Sequence, residues 1–248
     1  MFLNGKISTE NKARMTQAIL AYKLLMKVHK VIKFKACATS AMREAKNGQK
    51  VADYIFEKSG ILIDIIDGKT EAQIISSTNL NKYININKNY LYVDVGGGST
   101  EFSLYKNGEI CQSKSFPIGT VRQLDKVVNK NTWIVVEQWI KLYTKNLSQI
   151  SLIGSGGNIN KIFKMSGKKI GSPMSYLYLN NQFHLYNNMS YEERISKLEL
   201  NPDRADVIIP ALKIYLLAMK WSKARNIYVP KIGLADGIIK SLYANTLK

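Results

Sequence analysis

The segment DVGGGSTEF, Asp94 to Phe102, decides how the fold of this chain is interpreted. An apolar run leads into this segment and predicts a buried strand. The strand reaches an acidic residue near its end, and three glycines follow. Glycine lets the backbone turn tightly and approach a ligand closely, and successive N–H groups in such a turn form a nest for an anion. Ser99 and Thr100 add hydroxyl donors, while the carboxylates of Asp94 and Glu101 could hold a hard cation. The segment therefore predicts a phosphate-binding loop, with an ordinary glycine-rich hairpin turn as the alternative.

A second glycine-rich turn, GSGGN from Gly154 to Asn158, also stands between a predicted strand and a predicted helix. Helix N-termini attract anions, and glycine leaves room for a phosphate. Such turns are common, so this motif alone is weak evidence for a binding site. Its position after the first loop makes it more informative. Two glycine loops on one face suggest a cleft.

Outward from these loops, strands alternate with helices, which is typical of the α/β class. The pattern predicts strands at 31–38, 61–66, 90–95, 101–105, 109–116, 150–153 and 227–229. It predicts helices at 9–29, 51–59, 69–80, 121–128, 133–147, from 158, and at 191–198, 203–221 and 234–247, with a kink at Pro210. Residues 180–189 are interpreted as a polar connection. Asn107-Gly108 is a strong hairpin signal, so the sheet is expected to be mixed.

The composition fits one large domain or two moderate ones, with 248 residues of which 46% are hydrophobic. The chain has no uninterrupted run of about 20 apolar residues, the length that a membrane span needs, and its first residues do not resemble a signal peptide. A cytoplasmic protein without a membrane partner is expected. Cys37 and Cys111 are far apart and are interpreted as buried or half-buried thiols in strands, not as a metal site.

The formal net charge is +18, from 36 basic and 18 acidic residues. Such a field concentrates polyanions, although lysines spread along the whole chain are equally typical of a compositional bias. Charge alone does not choose between nucleic acid and a phosphate polymer. A specific nucleic-acid partner is disfavoured because no platform of aromatic and basic residues is visible.

Seven motifs together resemble those of the exopolyphosphatase/guanosine-pentaphosphate phosphohydrolase (Ppx/GppA) family, in the family's order and over essentially the whole chain. They are ATSAMREA (38–45), IIDGKTEA (65–72), DVGGGSTEF, IGTVR (118–122), GSGGN, NPDRADVIIPA (201–211) and GLADGII (233–239). The family belongs to the actin, Hsp70 and sugar-kinase superfamily. The resemblance implies two ribonuclease-H-like domains with mixed sheets flanked by helices and the active site between them. The expected first domain is 1–68, completed by the C-terminal helix 234–248, and the expected second domain is 69–233.

The resemblance also implies roles for individual residues. Glu71 matches the catalytic carboxylate that activates the attacking water. Asp94 and Glu101 match acidic residues at the site of a divalent cation, expected to be Mg²⁺. The implied phosphate-binding residues are Arg43, Gly96, Gly97, Gly98, Ser99, Thr100, Gly156, Gly157 and, less closely matched, Arg204. Without the family, Glu71 would be interpreted as a solvated acid in the first turn of a helix, and Arg43 as part of a surface ion pair.

Two departures from the family pattern stand out. Family members begin with a strand and an Asp-x-Gly-Ser loop, whereas this sequence starts at MFLNGKIS, so the first domain is expected to be incomplete at its N-terminus. Asn158 stands where relatives often have threonine, and asparagine still caps a helix.

The expected function is therefore metal-assisted hydrolysis of a phosphoanhydride bond, with inorganic polyphosphate and guanosine pentaphosphate both open as substrates. A non-catalytic sensor of polyphosphate or alarmone is the alternative from another class. A sugar kinase or actin-like ATPase is disfavoured by the TSAMREA segment and by the position of Glu71. A homodimer is left open.

Overall fold

The protein forms two compact units, Met1–Ser77 with Leu234–Lys248, and Thr78–Gly233. The computed structural model describes residues 5–76, 78, 85, 87–125 and 127–244. Predictions for residues 77, 79, 80, 126 and 245–248 lie outside this described part.

The first unit is a small layer of helices on a two-stranded parallel sheet. Its elements are α1 (Thr9–Val28), β1 (Ala36–Ala38), α2 (Ser40–Glu44), α3 (Gly48–Ser59), β2 (Ile63–Ile65), α4 (Gly68–Ser76) and α12 (Leu234–Ala244). Ser8 caps α1 by accepting a hydrogen bond from the amide of Asn11 at 3.1 Å. The apolar face of α3, which includes Val51 and Ile55, packs with Met42 in the core of this unit.

The second unit is built on a six-stranded sheet with the order β5-β4-β3-β6-β8-β7. The strands are β3 (Tyr90–Val95), β4 (Thr100–Lys106), β5 (Glu109–Phe116), β6 (Ser151–Ser155), β7 (Met174–Ser175) and β8 (Asn226–Tyr228). Strands β3, β4 and β5 form an antiparallel meander, and β6 and β8 follow parallel to β3. A meander followed by two parallel strands is the strand order of a ribonuclease-H-like sheet, so the predicted mixed α/β class is confirmed.

Seven helices among the described residues surround this sheet. They are α5 (Thr120–Leu124), α6 (Lys130–Thr144), α7 (Gly157–Met165), α8 (Tyr176–Asn187), α9 (Tyr191–Leu198), α10 (Pro202–Ala205) and α11 (Ile208–Ser222). Helix α11 packs against β3 and β6 and also contacts α5, α6, α7 and α8. Ten of its 15 residues are buried, so it is the central helix of the unit. Around β4 and β5, Phe116 packs edge to face with Phe102 and with Trp139, with ring centroids 5.7 and 5.9 Å apart. Phe102 and Trp139 contact each other at a tilted angle, 6.2 Å apart.

Several predicted elements differ from the observed ones. The expected polar connection at 180–189 is wrong, because α8 covers most of it, with Ser175 as N-cap and with Leu179 and Tyr186 buried. The predicted helix 203–221 is two helices, and Pro210 lies in the first turn of α11. Proline removes no helical hydrogen bond at that position, so the break falls before α11 and not at the proline.

The predicted first strand, 31–38, is reduced to Ala36–Ala38 because only these residues find a partner, in the parallel register Ala36↔Ile63 to Ala38↔Ile65. Cys111 is exposed on the outer strand β5, contrary to the prediction of a buried or half-buried thiol, whereas Cys37 is half-buried in β1.

The division of the chain differs in one place from the expected domains. Residues 69–77 were expected in the second domain, but α4 packs against α12 in the first unit. The approach is close, since a Cβ on Gly237 would lie 2.1 Å from the carbonyl oxygen of Ile74. Among the described residues, no helix combines the length and hydropathy that crossing a bilayer requires.

Candidate active site

The loop between β3 and β4 is held in place through its carbonyl groups. The amide of Gly96 donates to the carbonyl of Ser99 at 3.0 Å, which closes the turn. The first amides of α5 then donate back to the loop, from Thr120 to the Gly96 oxygen at 3.0 Å and from Val121 to the Gly97 oxygen at 2.9 Å. These bonds turn the loop carbonyls towards α5.

The amides of Gly97, Gly98 and Ser99 donate to no described residue. The carbonyl groups of the same three residues accept hydrogen bonds from other residues of the chain. Three consecutive N–H groups of this kind form a concave donor set for an anion. Gly96 and Gly97 are exposed, whereas Gly98 and Ser99 are buried, so the loop reaches the surface at its first two glycines. The geometry supports the phosphate-loop interpretation over an ordinary hairpin turn, because such a turn would need no second element bonded to its carbonyls.

The hydroxyl groups of the loop are already engaged within the protein. The Ser99 hydroxyl donates to Oε1 of Glu101 at 2.6 Å. Thr100 is fully buried, and its hydroxyl donates to the carbonyl of Ile118 at 2.5 Å. The backbone amides are therefore the open donors of this loop, and phosphate binding by the Ser99 and Thr100 hydroxyls stays a prediction.

Gly119 and Arg122 support the loop from the IGTVR motif, a role that was not predicted from sequence. The Arg122 Nε donates to the carbonyl of Gly98 at 2.5 Å. A Cβ on Gly119 would lie 2.1 Å from the Gly97 oxygen and 2.4 Å from the Gly98 nitrogen, so only glycine permits this approach. The signal in the sequence was a glycine directly before a short helix, but its partners belong to a different motif and could not be identified from that signal.

Asp94 and Glu101 face each other as cross-strand partners of β3 and β4. Oε1 of Glu101 accepts hydrogen bonds from the hydroxyls of Ser99 at 2.6 Å and Ser115 at 2.8 Å. Burial, and after it the Glu101 carboxylate, raises the pKa of Asp94 to about 7. Two neighbouring carboxylates repel each other when both are ionised, and a bound cation offsets this repulsion.

This pair fits a hard divalent cation that shares its coordination with a ligand. Within the described ranges, no three His, Cys, Asp or Glu side chains lie close enough to hold a metal ion by themselves. Magnesium is commonly held by one or two carboxylates, with waters and substrate phosphates as the other ligands. Asp94 and Glu101 would supply the carboxylates here, next to the open amides of the loop.

The second glycine loop lies beside the first. Strands β3 and β6 are parallel neighbours with Asp94 opposite Ser155, so both loops leave the same edge of the sheet. Gly156 has φ 117°, and a Cβ there would lie 2.8 Å from the carbonyl oxygen of Val95 and 3.6 Å from Oδ1 of Asp94. Glycine is therefore required by both the backbone conformation and the space.

Arg204 reaches this second loop from α10. Its Nη1 donates to the carbonyl of Gly157 at 2.9 Å, which places the guanidinium over the start of α7. The structure thus brings Gly156, Gly157 and Arg204 together at a helix N-terminus, where anions are favoured. Their binding of phosphate stays a prediction.

Tyr215 is a supporting residue that could not be selected from sequence. It is fully buried on α11, and its hydroxyl donates to the carbonyl of Ser155 directly before the second loop. A Cβ on Gly156 would lie 3.5 Å from this hydroxyl. A tyrosine in an apolar helix is usually core, so only the structure distinguishes it.

In the first unit, Glu71 lies buried in the first turn of α4, where its amide donates to the carbonyl of Asp67 at 2.9 Å. Asp67 caps this turn by accepting from the amide of Thr70 at 2.6 Å. The half-buried Arg43 donates through Nη1 to the carbonyl of Ile66 at 2.7 Å. The fold therefore brings Arg43 and the 66–71 segment together, and Glu71 is buried where sequence alone suggested a solvated acid.

Comparisons with known proteins identify the family and the fold of the chain. A model of the Ppx/GppA phosphatase family matches residues 2–246. A bifunctional 3-dehydroquinate synthase/phosphatase of Fusobacterium nucleatum is 30% identical over 192 residues, 69% of this chain. The chain spans only 29% of that curated relative.

Two solved structures share the fold. An exopolyphosphatase from Cytophaga hutchinsonii is similar with a TM-score of 0.84 at 22% identity, over 97% of this chain and 84% of that one. A Ppx/GppA family member from Aquifex aeolicus has a TM-score of 0.76 at 22% identity, over 98% of this chain and 85% of that one.

Proposed function

The chain belongs to the Ppx/GppA phosphatase family, and from this premise we propose that it hydrolyses the terminal phosphoanhydride bond of inorganic polyphosphate. The observation that carries the proposal is the 96–99 loop, with three open amides next to the carboxylates of Asp94 and Glu101. Such a loop suits the terminal phosphoryl group of a polyanion.

Hydrolysis of a phosphoanhydride requires an oriented water, donors for the equatorial oxygens of the phosphoryl group and cations that offset developing charge. In this proposal Glu71 accepts the proton of the attacking water. The amides of Gly97, Gly98 and Ser99, with Arg43, bind the phosphate oxygens. When bound, a divalent cation at Asp94 and Glu101 would offset negative charge on these oxygens.

Polyphosphate is preferred over guanosine pentaphosphate because the net charge of +18 favours a long polyanion over a single nucleotide. The reaction is the same for both substrates, so competition between them with the purified protein decides the preference.

The test of the proposal is release of orthophosphate from polyphosphate by the purified chain, in Mg²⁺ and in excess chelator. We expect turnover that depends on the divalent cation. Binding of polyphosphate without release of phosphate would instead support the sensor, and full activity in chelator would contradict the role of the cation.

The affinity for Mg²⁺ should depend on pH because the pKa of Asp94 is raised to about 7. Below this pKa the carboxyl holds a proton that the cation must displace, so the affinity should fall as the pH is lowered from about 8 to about 6, with a limiting slope of about tenfold per pH unit. Titration with Mg²⁺ across this range of pH measures it.

The Asp94→Asn variant is the control for this titration. It should bind Mg²⁺ weakly at each pH and show no such slope. Equal affinity of the unmodified protein at both ends of the pH range would contradict the assignment of Asp94.

A further inference from the structure

The second unit has a basic cleft at the edge of its sheet opposite the glycine loops. Its volume is about 500 Å³. The cations Lys88, Lys223 and Arg225 line it, together with polar groups that include Gln149 and Asn226. No carboxylate is among the lining residues that the structure describes.

The position of the cleft follows from the strand directions. Strands β3, β6 and β8 are parallel neighbours. The cleft lies at their amino ends, since Lys88 precedes β3, Gln149 precedes β6 and Arg225 precedes β8. The glycine loops follow the carboxyl ends of β3 and β6. With six residues in β3, the two sites are separated by about 20 Å along the strand.

The three cations of the cleft form no ion pair with a described carboxylate, and all three are exposed. Other lysines of the same unit do pair, as Lys141 does with Glu137 at 2.5 Å and Lys197 with Glu193 at 2.6 Å. Like charges that line one concave site repel one another unless an anion binds between them.

The backbone conformation at two residues of the cleft is left-handed. Lys223 has φ 58° at the C-cap of α11, and Gln149 has φ 52°. A left-handed residue at the end of a helix is usually glycine, because a side chain disfavours this conformation. Glycine is therefore the substitution at position 223 that removes the charge and also suits the backbone.

We propose that this cleft is a second binding site, specific for condensed phosphate. Three cations and several amide and hydroxyl groups in a volume of this size suit a short run of linked phosphates. The choice of condensed phosphate among polyanions rests on the proposed function. A long polyphosphate chain carries enough phosphates to occupy this cleft as well as the glycine loop, whereas one guanosine nucleotide does not.

The test uses the full chain with Glu71→Gln, so that the probe is not consumed. Tripolyphosphate is titrated by calorimetry, and we expect two binding sites per chain. In the Lys223→Gly, Arg225→Gln variant, one site should weaken by at least about tenfold while the other is unchanged. Because glycine suits φ 58°, the melting temperature should not fall.

Lys30→Gly is the matched control. Lys30 is exposed, also has a left-handed backbone with φ 51°, and lies outside the cleft at the end of α1. It loses one positive charge at the same kind of position as Lys223→Gly does, so both sites should remain.

A single tripolyphosphate site before mutation, or two unchanged sites in the double variant, would overturn the proposal. Displacement of tripolyphosphate from the cleft by a short RNA, but not by longer polyphosphate, would overturn the choice of condensed phosphate. Failure of the proposed function is separate, because it appears as absence of phosphate release by the chain that retains Glu71.

Discussion

Replacing Glu71 with glutamine is expected to lower the turnover of polyphosphate by about 10²- to 10⁴-fold, because the amide keeps the size of the side chain but cannot accept the proton of water. Glu71 is buried in the first turn of α4. The substitution leaves the 96–99 loop unchanged, so the dissociation constant for polyphosphate should change little. Phosphate release and equilibrium binding, measured on the same preparation, separate the two effects.

Glu10→Gln is the matched control for this variant. Glu10 occupies the first turn of α1, as Glu71 does in α4, so both substitutions remove the same favourable interaction with a helix dipole. The Glu10 variant should keep its activity. Near-normal turnover in the Glu71 variant would show that another group activates the water.

Replacing Gly119 with alanine should reduce activity by about 100-fold or more, since displacement of a binding group by about 1 Å is enough for such a loss. The added methyl group would lie 2.1 Å from the Gly97 oxygen and 2.3 Å from its carbonyl carbon. Backbone cannot rotate away as a flexible side chain does, so the loop amides must move. A loss of stability of about 1–3 kcal/mol should accompany the overpacking.

Gly167→Ala separates displacement of the loop from general destabilisation. Gly167 has φ 66°, and a Cβ there would meet nothing within 4 Å. Alanine at this position strains the backbone without touching the loop. We expect lower thermal stability with normal activity for Gly167→Ala, and a loss of activity at temperatures where the protein is folded for Gly119→Ala. Normal activity of the Gly119 variant would mean that the loop amides do not bind substrate.

Local patterns were sufficient to predict the β-rich part of the fold. The strands 90–95 and 109–116 were predicted with their observed bounds. The hairpin was predicted from Asn107-Gly108, whose φ values of 52° and 80° are those of a two-residue turn with both residues left-handed. A turn of this kind is determined by its own residues, so sequence suffices.

Elements that depend on tertiary packing were harder to predict. Helix α8, with the sequence YLYLNNQFHLYN, has no strong apolar stripe, and its helical state depends on burial of Leu179 and Tyr186 and on contact with α11. The shortening of β1 had the same origin, since strand pairing with β2 is not visible in either segment alone.

The residues of the candidate site also fall into two groups, those that could be predicted from sequence and those that could not. The glycines of the 96–98 loop and the acidic pair Asp94 and Glu101 could be selected from sequence because they belong to one short continuous segment. The support from Gly119, Arg122 and Tyr215 could not, because these residues reach the loops from the start of α5 and from α11 through space.

The dependence of the loops on α5 and α11 has a thermodynamic consequence. The first loop is bonded to α5, the second to Tyr215, and α11 contacts α5 and both strands that lead into the loops. The loops therefore belong to the same cooperative folding unit as the core of the sheet, and opening them requires opening of that core. A ligand bound at the loops then stabilises the whole second unit by mass action, by about 2.7 kcal/mol at a hundred times its dissociation constant. Ligand binding at the loops and folding of the second unit are therefore thermodynamically coupled.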